Sequence, residues 1–199
     1  MFTSNNSKSD PSTIVLDLDA TLIHSRDQDN DHSYSGLSKF DKFHTMSNDY
    51  LVVERPHLQK FLDYLFNNFD NVIVWTAASK EYAEFIIDRC IIKPKSRPLD
   101  WYFFSYHCDM SDDKYGSTKD LKLLTDFFKL DDCSKNNIII IDDYDNVFDG
   151  NPNKCIIAPE FDSEEKESYK DDFLLRLIEC FEKNMDVNSI NKQISGLSS

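Results

Sequence analysis

Two carboxylates, Asp17 and Asp19, stand one residue apart directly after the apolar run Ile14-Val15-Leu16. A short apolar run predicts a buried strand, in which residues i and i+2 share one face. At the carboxyl end of such a strand both side chains would converge on the crevice where open α/β sheets bind ligands. Carboxylates this close repel each other unless a cation or a shared proton separates them, and Mg²⁺ is the natural hard cation. Alone, the pair also fits a strand that ends in an Asx-rich turn.

A second pair of acids follows the run of four isoleucines at 138–141. Consecutive β-branched residues predict a parallel strand that is buried on both faces. Asp142 and Asp143 come at its end, and neighbouring side chains of a strand point apart. One of the two carboxylates would therefore face a metal ion, and the other would support the site from beside it.

A third apolar run, Val72-Ile73-Val74-Trp75, ends in Thr76-Ala77-Ala78-Ser79 before a helix predicted over about 80–88. A hydroxyl and free backbone N–H groups at a helix N-terminus both donate hydrogen bonds to a phosphate. Thr76 and the Ala77 backbone are the candidates for this role. The alternative is an ordinary Thr or Ser N-cap that binds no ligand. Tyr82, in the first turn of this helix, could line a substrate pocket or simply be a core or surface aromatic residue.

The pattern Asp-x-Asp-x-Thr at 17–21, directly after an apolar strand, resembles the first motif of the haloacid-dehalogenase-like phosphatases. The longer stretch over 17–25, Asp-Leu-Asp-Ala-Thr-Leu-Ile-His-Ser, resembles the branch of RNA polymerase II carboxy-terminal-domain (CTD) phosphatases. This branch includes the small CTD and NLI-interacting-factor-like phosphatases. That branch typically carries Glu at the position of Ala20, a variable position of the motif. The segment around Thr76 resembles the second superfamily motif, Lys119-Asp120-Leu121 the third, and Asp142-Asp143 the fourth.

The resemblance implies a role for each matched residue. Asp17 would be the nucleophile and Asp19 the general acid and base. Phosphate would be bound by Thr76, Ala77 and Lys119, with Lys122 as a competing lysine, although Lys119 fits the local pattern better. An Mg²⁺ ion would be held by Asp17, by Asp19 through its backbone carbonyl, and by Asp143, with Asp142 as a less certain ligand or a supporting group. His57, within Arg55-Pro56-His57, is interpreted as a polar residue at a helix start rather than a catalytic one.

The implied function is that of an Mg²⁺-dependent phosphomonoesterase that forms an aspartyl-phosphate. By resemblance the substrate is phosphoserine or phosphothreonine in a protein, and the RNA polymerase II C-terminal tail is one candidate. Two alternatives stay open. The chain could be a phosphatase of small molecules or of nucleic-acid ends, or a non-catalytic module that keeps the fold to bind a protein.

The bulk properties narrow the class of partner. The formal charge of −14 over 199 residues argues against direct binding of nucleic acid, which needs many Lys and Arg. Neither a signal peptide nor an apolar stretch of membrane-spanning length is evident. Five widely spaced cysteines predict reduced thiols in a nuclear or cytoplasmic protein. The histidines show no paired spacing, which argues against a zinc site. The oligomeric state is not indicated.

The fold class expected is α/β: a Rossmann-like three-layer sandwich with a central, mainly parallel sheet. Residues 13–184 are predicted to form the phosphatase domain, with flexible tails at 1–12 and 185–199. An irregular, long connection is expected over 26–48, and a short β-hairpin insertion over 101–116 in place of a large cap domain. Strands are predicted near 13–18, 50–54, 72–76, 138–143 and 153–159, and helices near 56–68, 80–88, 121–130 and 163–183.

Overall fold

A computed structural model describes residues 12–27, 36–46, 50–130 and 137–196 of the chain. The strands in these ranges are β1 (Thr13–Leu16), β2 (Ile23–Asp27), β3 (Phe43–Met46), β4 (Tyr50–Glu54), β5 (Asn71–Trp75), β6 (Trp101–Phe103), β7 (Ile138–Asp142) and β8 (Cys155–Ile157). Five of them form a parallel sheet in the order β6-β5-β1-β7-β8. Since β1 lies at its centre, with β5 and β7 on either side, the ends of the three apolar runs meet at one edge.

Helices cover both faces of this sheet. They are α1 (Leu58–Asn68), α2 (Lys80–Ile86), α3 (Ser105–Tyr115), α4 (Asp145–Gly150), α5 (Phe173–Glu182) and α6 (Val187–Ser195). Ile14 and Leu16 pack in one core with α1, α2, α5 and α6, whereas Val15 packs in a second core with α3 and α4. The alternation of side chains along β1 therefore supplies both cores. The predicted α/β architecture, with three layers around a parallel sheet, is confirmed.

A second, antiparallel sheet is inserted between β1 and α1, with the strand order β2-β4-β3. The prediction of an irregular connection over 26–48 is wrong for its described part, because β3 and the end of β2 lie within it. Alternating exposed and half-buried residues in β3 reflect a strand with one solvated face. Because apolar Phe43 is exposed and polar His44 is half-buried, β3 lacks the alternation of buried apolar and exposed polar residues by which a sequence reveals a strand.

The hairpin predicted over 101–116 is also wrong. Only Trp101–Phe103 is a strand, β6, and it pairs with β5 at the edge of the parallel sheet. The helix α3 then begins at Ser105 and ends at Tyr115, and the residue that follows it, Gly116, has a φ of 73° that glycine readily adopts. The aromatic residues of this stretch predicted a longer strand. The strand instead ends after three residues, and α3 begins two residues later. The antiparallel insertion of this fold is instead the β2-β4-β3 sheet.

Three further elements differ from expectation. The helix predicted over 121–130 is a π-helical turn, Leu123–Phe127, and α2 continues into another one, Ile87–Ile92. The expected C-terminal tail from residue 185 instead contains α6, which buries Val187, Ile190 and Ile194. Residues 1–11 and 197–199 of the predicted tails lie outside the described residues. Within the described ranges, no helix combines the length and apolar character needed to cross a bilayer.

Candidate active site

The first acidic pair lies where β1 ends and the chain makes a tight turn. The carbonyl of Leu18 accepts hydrogen bonds from the backbone N–H groups of Leu22 (2.8 Å) and Ile23 (3.0 Å). Ala20, in this turn, has a φ of 57°, a left-handed conformation that L-residues adopt at a cost. The turn leaves Asp17 buried against the end of β7, where its N–H donates to the Ile141 carbonyl.

Lys119 joins the first acidic pair to the second. Its Nζ lies 2.5 Å from Oδ1 of Asp17 and 2.6 Å from Oδ2 of Asp142. All three side chains are at most 8% exposed. The competing lysine, Lys122, is 61% exposed and pairs with Asp120 instead. The structure therefore brings together Lys119, and not Lys122, with both acidic pairs.

Burial dominates the electrostatics of this cluster. It raises the pKa of the Asp17 carboxyl to about 8, although the Lys119 ammonium acts in the opposite direction. Burial likewise raises the pKa of Asp142 against the effect of Lys119. For Lys119, burial would lower the pKa, but the two carboxylates outweigh it and raise the pKa. The single ammonium of Lys119 does not offset the effect of burial on the pKa of Asp17 and Asp142. A divalent cation here would favour the ionised form of these carboxylates.

Asp143 completes a group of three acids. One carboxylate oxygen each from Asp17, Asp142 and Asp143 lies within 4.8 Å of the others. Oδ1 of Asp143 accepts a hydrogen bond of 2.8 Å from the Thr21 hydroxyl, whereas Oδ1 of Asp142 accepts one of 3.0 Å from the Tyr144 N–H. Asp142 is thus engaged by Lys119 and by the backbone, and Asp143 is the less encumbered of the pair. A set of hard oxygen donors of this kind suits Mg²⁺.

The side chain of Asp19 takes a different direction. Its Oδ1 accepts a hydrogen bond of 2.5 Å from the phenolic hydroxyl of Tyr82 on α2. Burial raises the pKa of Asp19, while the Tyr82 hydrogen bond and Lys119 lower it. Burial and the Asp19 charge both raise the pKa of Tyr82, so the phenol keeps its proton and remains a donor. Tyr82 is therefore a partner of a candidate catalytic acid.

Thr76 lies at the end of β5, next to β1 in the sheet. Its side chain is 1% exposed, and its hydroxyl oxygen accepts a hydrogen bond of 3.1 Å from the Ala78 N–H. A hydroxyl that accepts still has one proton to donate. Ala77 is exposed beside it. Ser79, and not Thr76, caps α2, because its side chain accepts from the Tyr82 N–H. The Ser N-cap that the alternative interpretation allowed is therefore present at Ser79, and it leaves the Thr76 hydroxyl outside the helix cap.

The segment that carries Lys119 is fixed by Asn151, at the end of α4. The Asn151 Nδ2 donates to the Lys119 carbonyl (2.8 Å), and its Oδ1 accepts from the Leu121 N–H (2.9 Å). Both bonds are buried. The backbone on either side of Asp120 is therefore held by a single amide, which sets the position from which the lysine side chain extends.

The Arg-Pro-His segment has a supporting role. Arg55 is 1% exposed and donates to both carboxylate oxygens of Asp171, at 2.9 and 2.8 Å. It also donates to the carbonyl of Thr21 at 2.9 Å, and so braces the turn after β1. His57 is exposed at the start of α1, as its interpretation as a helix-start residue anticipates.

Three supporting residues were not identified from the sequence: Thr21, Tyr82 as a partner of Asp19, and Asn151. Thr21 carried a signal, because it belongs to the Asp-x-Asp-x-Thr pattern. For Tyr82 and Asn151, the partners lie 63 and 32 residues away, so only the fold brings them together.

Comparison with known proteins identifies the family of the chain. Residues 12–191 match the family model of the NLI interacting factor-like phosphatases. The chain is 40% identical over 178 residues to the putative CTD phosphatase-like protein 355R of invertebrate iridescent virus 3, covering 85% of this chain and 94% of that protein. It is 39% identical over 181 residues to the protein 355R of invertebrate iridescent virus 6, covering 87% and 98%.

A solved structure of Fcp1, described as an essential RNA polymerase II CTD phosphatase, shares the fold. The TM-score is 0.52 at 20% identity, and the match covers 95% of this chain. The chain spans about half of the Fcp1 chain, 54% of its length. Given the family match over most of its residues, this protein belongs to the NLI interacting factor-like phosphatases, within the CTD phosphatase branch of the haloacid-dehalogenase-like fold.

Proposed function

We propose that the protein is an Mg²⁺-dependent phosphomonoesterase that works through an aspartyl-phosphate on Asp17. The observation that carries the proposal is the bridge from Lys119 to Asp17 and Asp142, with Asp143 within 4.8 Å. This arrangement sets a carboxylate nucleophile beside a fixed cation and a further oxygen donor set. Phosphoryl transfer needs little else from a protein than such positioning and charge.

The residues present fit an Mg²⁺ ion. Asp17 and Asp143 would hold it with the backbone carbonyl of Asp19, and Asp142 would act as a further ligand or as the anchor of Lys119. When bound, the ion would neutralise charge on the phosphoryl group and on the nucleophile. Thr21 supports this assignment of Asp143, since its hydrogen bond orients that carboxylate from outside the ligand set.

The reaction takes two displacements at phosphorus. An Asp17 oxygen forms a bond to phosphorus as the ester P–O bond breaks, and Asp19 gives its proton to the departing alkoxide. A water molecule then attacks the aspartyl-phosphate, Asp19 takes the water proton, and Asp17 and inorganic phosphate are released. Lys119, the Thr76 hydroxyl and the Ala77 N–H would hold the phosphoryl oxygens throughout.

The substrate that we favour is phosphoserine or phosphothreonine in a protein. The support is the CTD phosphatase character of the relatives, which makes the RNA polymerase II C-terminal tail one candidate. The four cysteines in the described ranges are all buried and free, which fits a reducing nuclear or cytoplasmic compartment. Direct contact with nucleic acid is not part of the proposal, given the net charge of −14.

The test is hydrolysis of an aryl phosphate and of a panel of phosphopeptides, with Mg²⁺ and with a chelator. We expect turnover to require the cation. We also expect it to be faster on phosphoserine or phosphothreonine peptides than on sugar phosphates or nucleotides. Equal or higher rates on the small molecules would exclude the protein-phosphatase assignment. Absence of turnover on every substrate, with the fold intact, would favour a non-catalytic binding module instead.

A further inference from the structure

A second group of potential metal ligands lies outside the aspartate cluster. His44 belongs to β3, Glu54 is the last residue of β4, and Cys90 lies in the π-helical turn Ile87–Ile92. One ligand atom from each residue lies within 4.8 Å of the other two. An imidazole, a carboxylate and a thiol therefore converge where the antiparallel sheet meets the continuation of α2.

Two of the three side chains are removed from solvent. Cys90 is 1% exposed and the Glu54 side chain 4%, whereas the His44 side chain is 21% exposed. The Nε2 of His44 lies 2.8 Å from Oε1 of Glu54. The carboxylate is thus held towards the imidazole, and the accessible edge of the histidine provides a route from solvent to the group.

A neighbouring amide fixes the carboxylate from its other side. The Gln59 Nε2 donates to Oε2 of Glu54 at 2.8 Å and to the Cys90 carbonyl at 2.9 Å. Arg97 donates to the Gln59 oxygen at 3.0 Å, which sets the orientation of that amide. Supporting hydrogen bonds of this type are what orient the ligands of metal sites in proteins.

In this group the side chains of His44 and Glu54 make hydrogen bonds, whereas the Cys90 thiol makes none among the described residues. In the described part of the chain, the thiols of Cys108 and Cys155 each approach a backbone carbonyl, at 3.6 and 3.7 Å, whereas no such bond engages Cys90 or Cys180. Burial, followed by the neighbouring Glu54 charge, raises the pKa of the Cys90 thiol. Cys90 also lies in a π-helical turn, a local irregularity that occurs often at functional sites.

We propose that His44, Glu54 and Cys90 form a Zn²⁺ site that ties the antiparallel sheet to the π-helical turn after α2. Nitrogen, sulfur and carboxylate oxygen are the ligands that Zn²⁺ takes, and water would fill the fourth position on the exposed side of His44. A tetrahedral ion would set these atoms about 3.3 to 3.7 Å apart. This spacing lies between the 2.8 Å of the His44–Glu54 pair and the 4.8 Å limit of the group.

Binding needs only small side-chain movements: the ion replaces the hydrogen bond between His44 and Glu54, the imidazole proton moves from Nε2 to Nδ1, and the thiol proton is released to solvent. The spacing of the histidines along the sequence argued against a zinc site. That criterion detects only ligands that lie close together in the chain. Here the ligands come from three elements and are brought together by the fold. None of its residues belongs to the aspartate cluster, and its test does not depend on turnover, although Cys90 contributes to the raised pKa of Tyr82.

The test uses the full-length protein, freed of metal by a chelator, kept reduced with a phosphine, and titrated with Co²⁺ as a spectroscopic substitute for Zn²⁺. A thiolate ligand gives Co²⁺ an intense near-ultraviolet charge-transfer band, which an all-oxygen site such as the aspartate cluster cannot give. We expect this band to saturate at one equivalent and to disappear when one equivalent of Zn²⁺ is added.

Variants assign the band to its residues. Cys90→Ser should abolish it and His44→Gln should weaken Co²⁺ binding at least tenfold, while the matched control Cys180→Ser should leave it unchanged. Because His44 is half-buried, its variant provides the test even where Cys90→Ser does not fold, as checked by circular dichroism. A missing band in the parent protein, or a band that His44→Gln and a folded Cys90→Ser leave intact, would overturn the proposal.

Discussion

The phenolic hydroxyl of Tyr82 donates a hydrogen bond of 2.5 Å to Oδ1 of Asp19, joining α2 to the turn after β1. In the proposed reaction Asp19 delivers a proton to the leaving alkoxide, so its carboxyl must point at the scissile bond. Tyr82 would act as a positioning residue for that carboxyl. Its importance should then depend on how much the leaving group needs a proton.

Replacement of Tyr82 by Phe tests this dependence. General acids contribute on the order of 10²- to 10⁴-fold, and we expect loss of positioning to cost about tenfold in kcat/KM, which reports the transfer to Asp17 and not the later hydrolysis, with alkyl phosphates. With nitrophenyl phosphate, which leaves without protonation, the loss should stay below about twofold. The control is Tyr102→Phe, which removes only an exposed hydroxyl bonded to Glu84 at 3.4 Å. Equal losses on both substrates would mean that Tyr82 is merely structural.

The two neighbouring lysines provide a matched pair. Lys119→Met leaves Asp17 and Asp142 buried without their cation, and removal of one member of a buried ion pair costs about 3 kcal/mol or more. Turnover should fall at least about 100-fold, since the phosphoryl group loses a fixed positive charge. Lys122→Met breaks only the pair with Asp120 at a largely exposed amine, and should change stability by less than about 1 kcal/mol.

Urea unfolding in the presence of chelator and turnover of an aryl phosphate measure the two effects. Similar losses in both lysine variants would show that the bridge from Lys119 has no special role.

The Thr21 hydroxyl should affect the cation more than the chemistry. Thr21→Val keeps the buried shape but removes the hydrogen bond of 2.8 Å to Asp143. We expect the Mg²⁺ concentration for half-maximal activity to rise about 10- to 100-fold, as for other groups that orient metal ligands. Activity at saturating Mg²⁺ should largely return. Thr125→Val, on the π-helical turn Leu123–Phe127, is the control. A lower kcat at saturating Mg²⁺ with unchanged cation dependence would contradict this role.

The ion pairs of Asp63 give a pH-dependent contribution to stability, away from the site. Burial alone would raise its pKa, but hydrogen bonds and charge from Lys95 and Arg97 outweigh it and lower the pKa. An acid whose pKa is lower in the folded state stabilises the fold above its unfolded pKa of about 3.9. That stabilisation is lost as the pH falls through the folded value.

The destabilisation caused by Asp63→Asn should therefore be modest at neutral pH, at most about 1 kcal/mol because Asp63 is partly exposed. It should shrink as the pH falls below about 4. Thermal unfolding of both proteins across pH 2 to about 7 measures the difference, with the exposed Asp109→Asn as control. A difference that grows on acidification would reverse the sign and refute the account.

The parts of the site that could be predicted are those carried by strand ends. The apolar runs before Asp17, Thr76 and Asp142 are buried on both faces of the sheet, and buried parallel strands have a strong and continuous hydrophobic signal. Because parallel strands end at the same edge, the residues that follow these runs must come together. For this reason the site residues at the strand ends could be predicted from the sequence, whereas the residues that hydrogen-bond to them could not.

The parts that were missed depend on weaker local signals or on distant partners. The strand β3 mixes apolar and polar residues that are exposed or half-buried, and α3 begins inside an aromatic stretch that is typical of strands. The hydrogen bond between Tyr82 and Asp19 forms because α2 and β1 pack in the same core. Neither of the two local sequences contains information about this packing. The same holds for His44 and Cys90, which belong to different elements.

The most direct test of the central claim is turnover of an aryl phosphate in saturating Mg²⁺ by the parent protein and by Asp17→Asn. The amide is nearly isosteric with the carboxylate but cannot form the acyl phosphate, so the account predicts Mg²⁺-dependent turnover in the parent and none above background in the variant. Circular dichroism of the two proteins confirms that the fold is retained. Turnover by a folded Asp17→Asn at a rate near that of the parent would contradict the claim that Asp17 is the nucleophile.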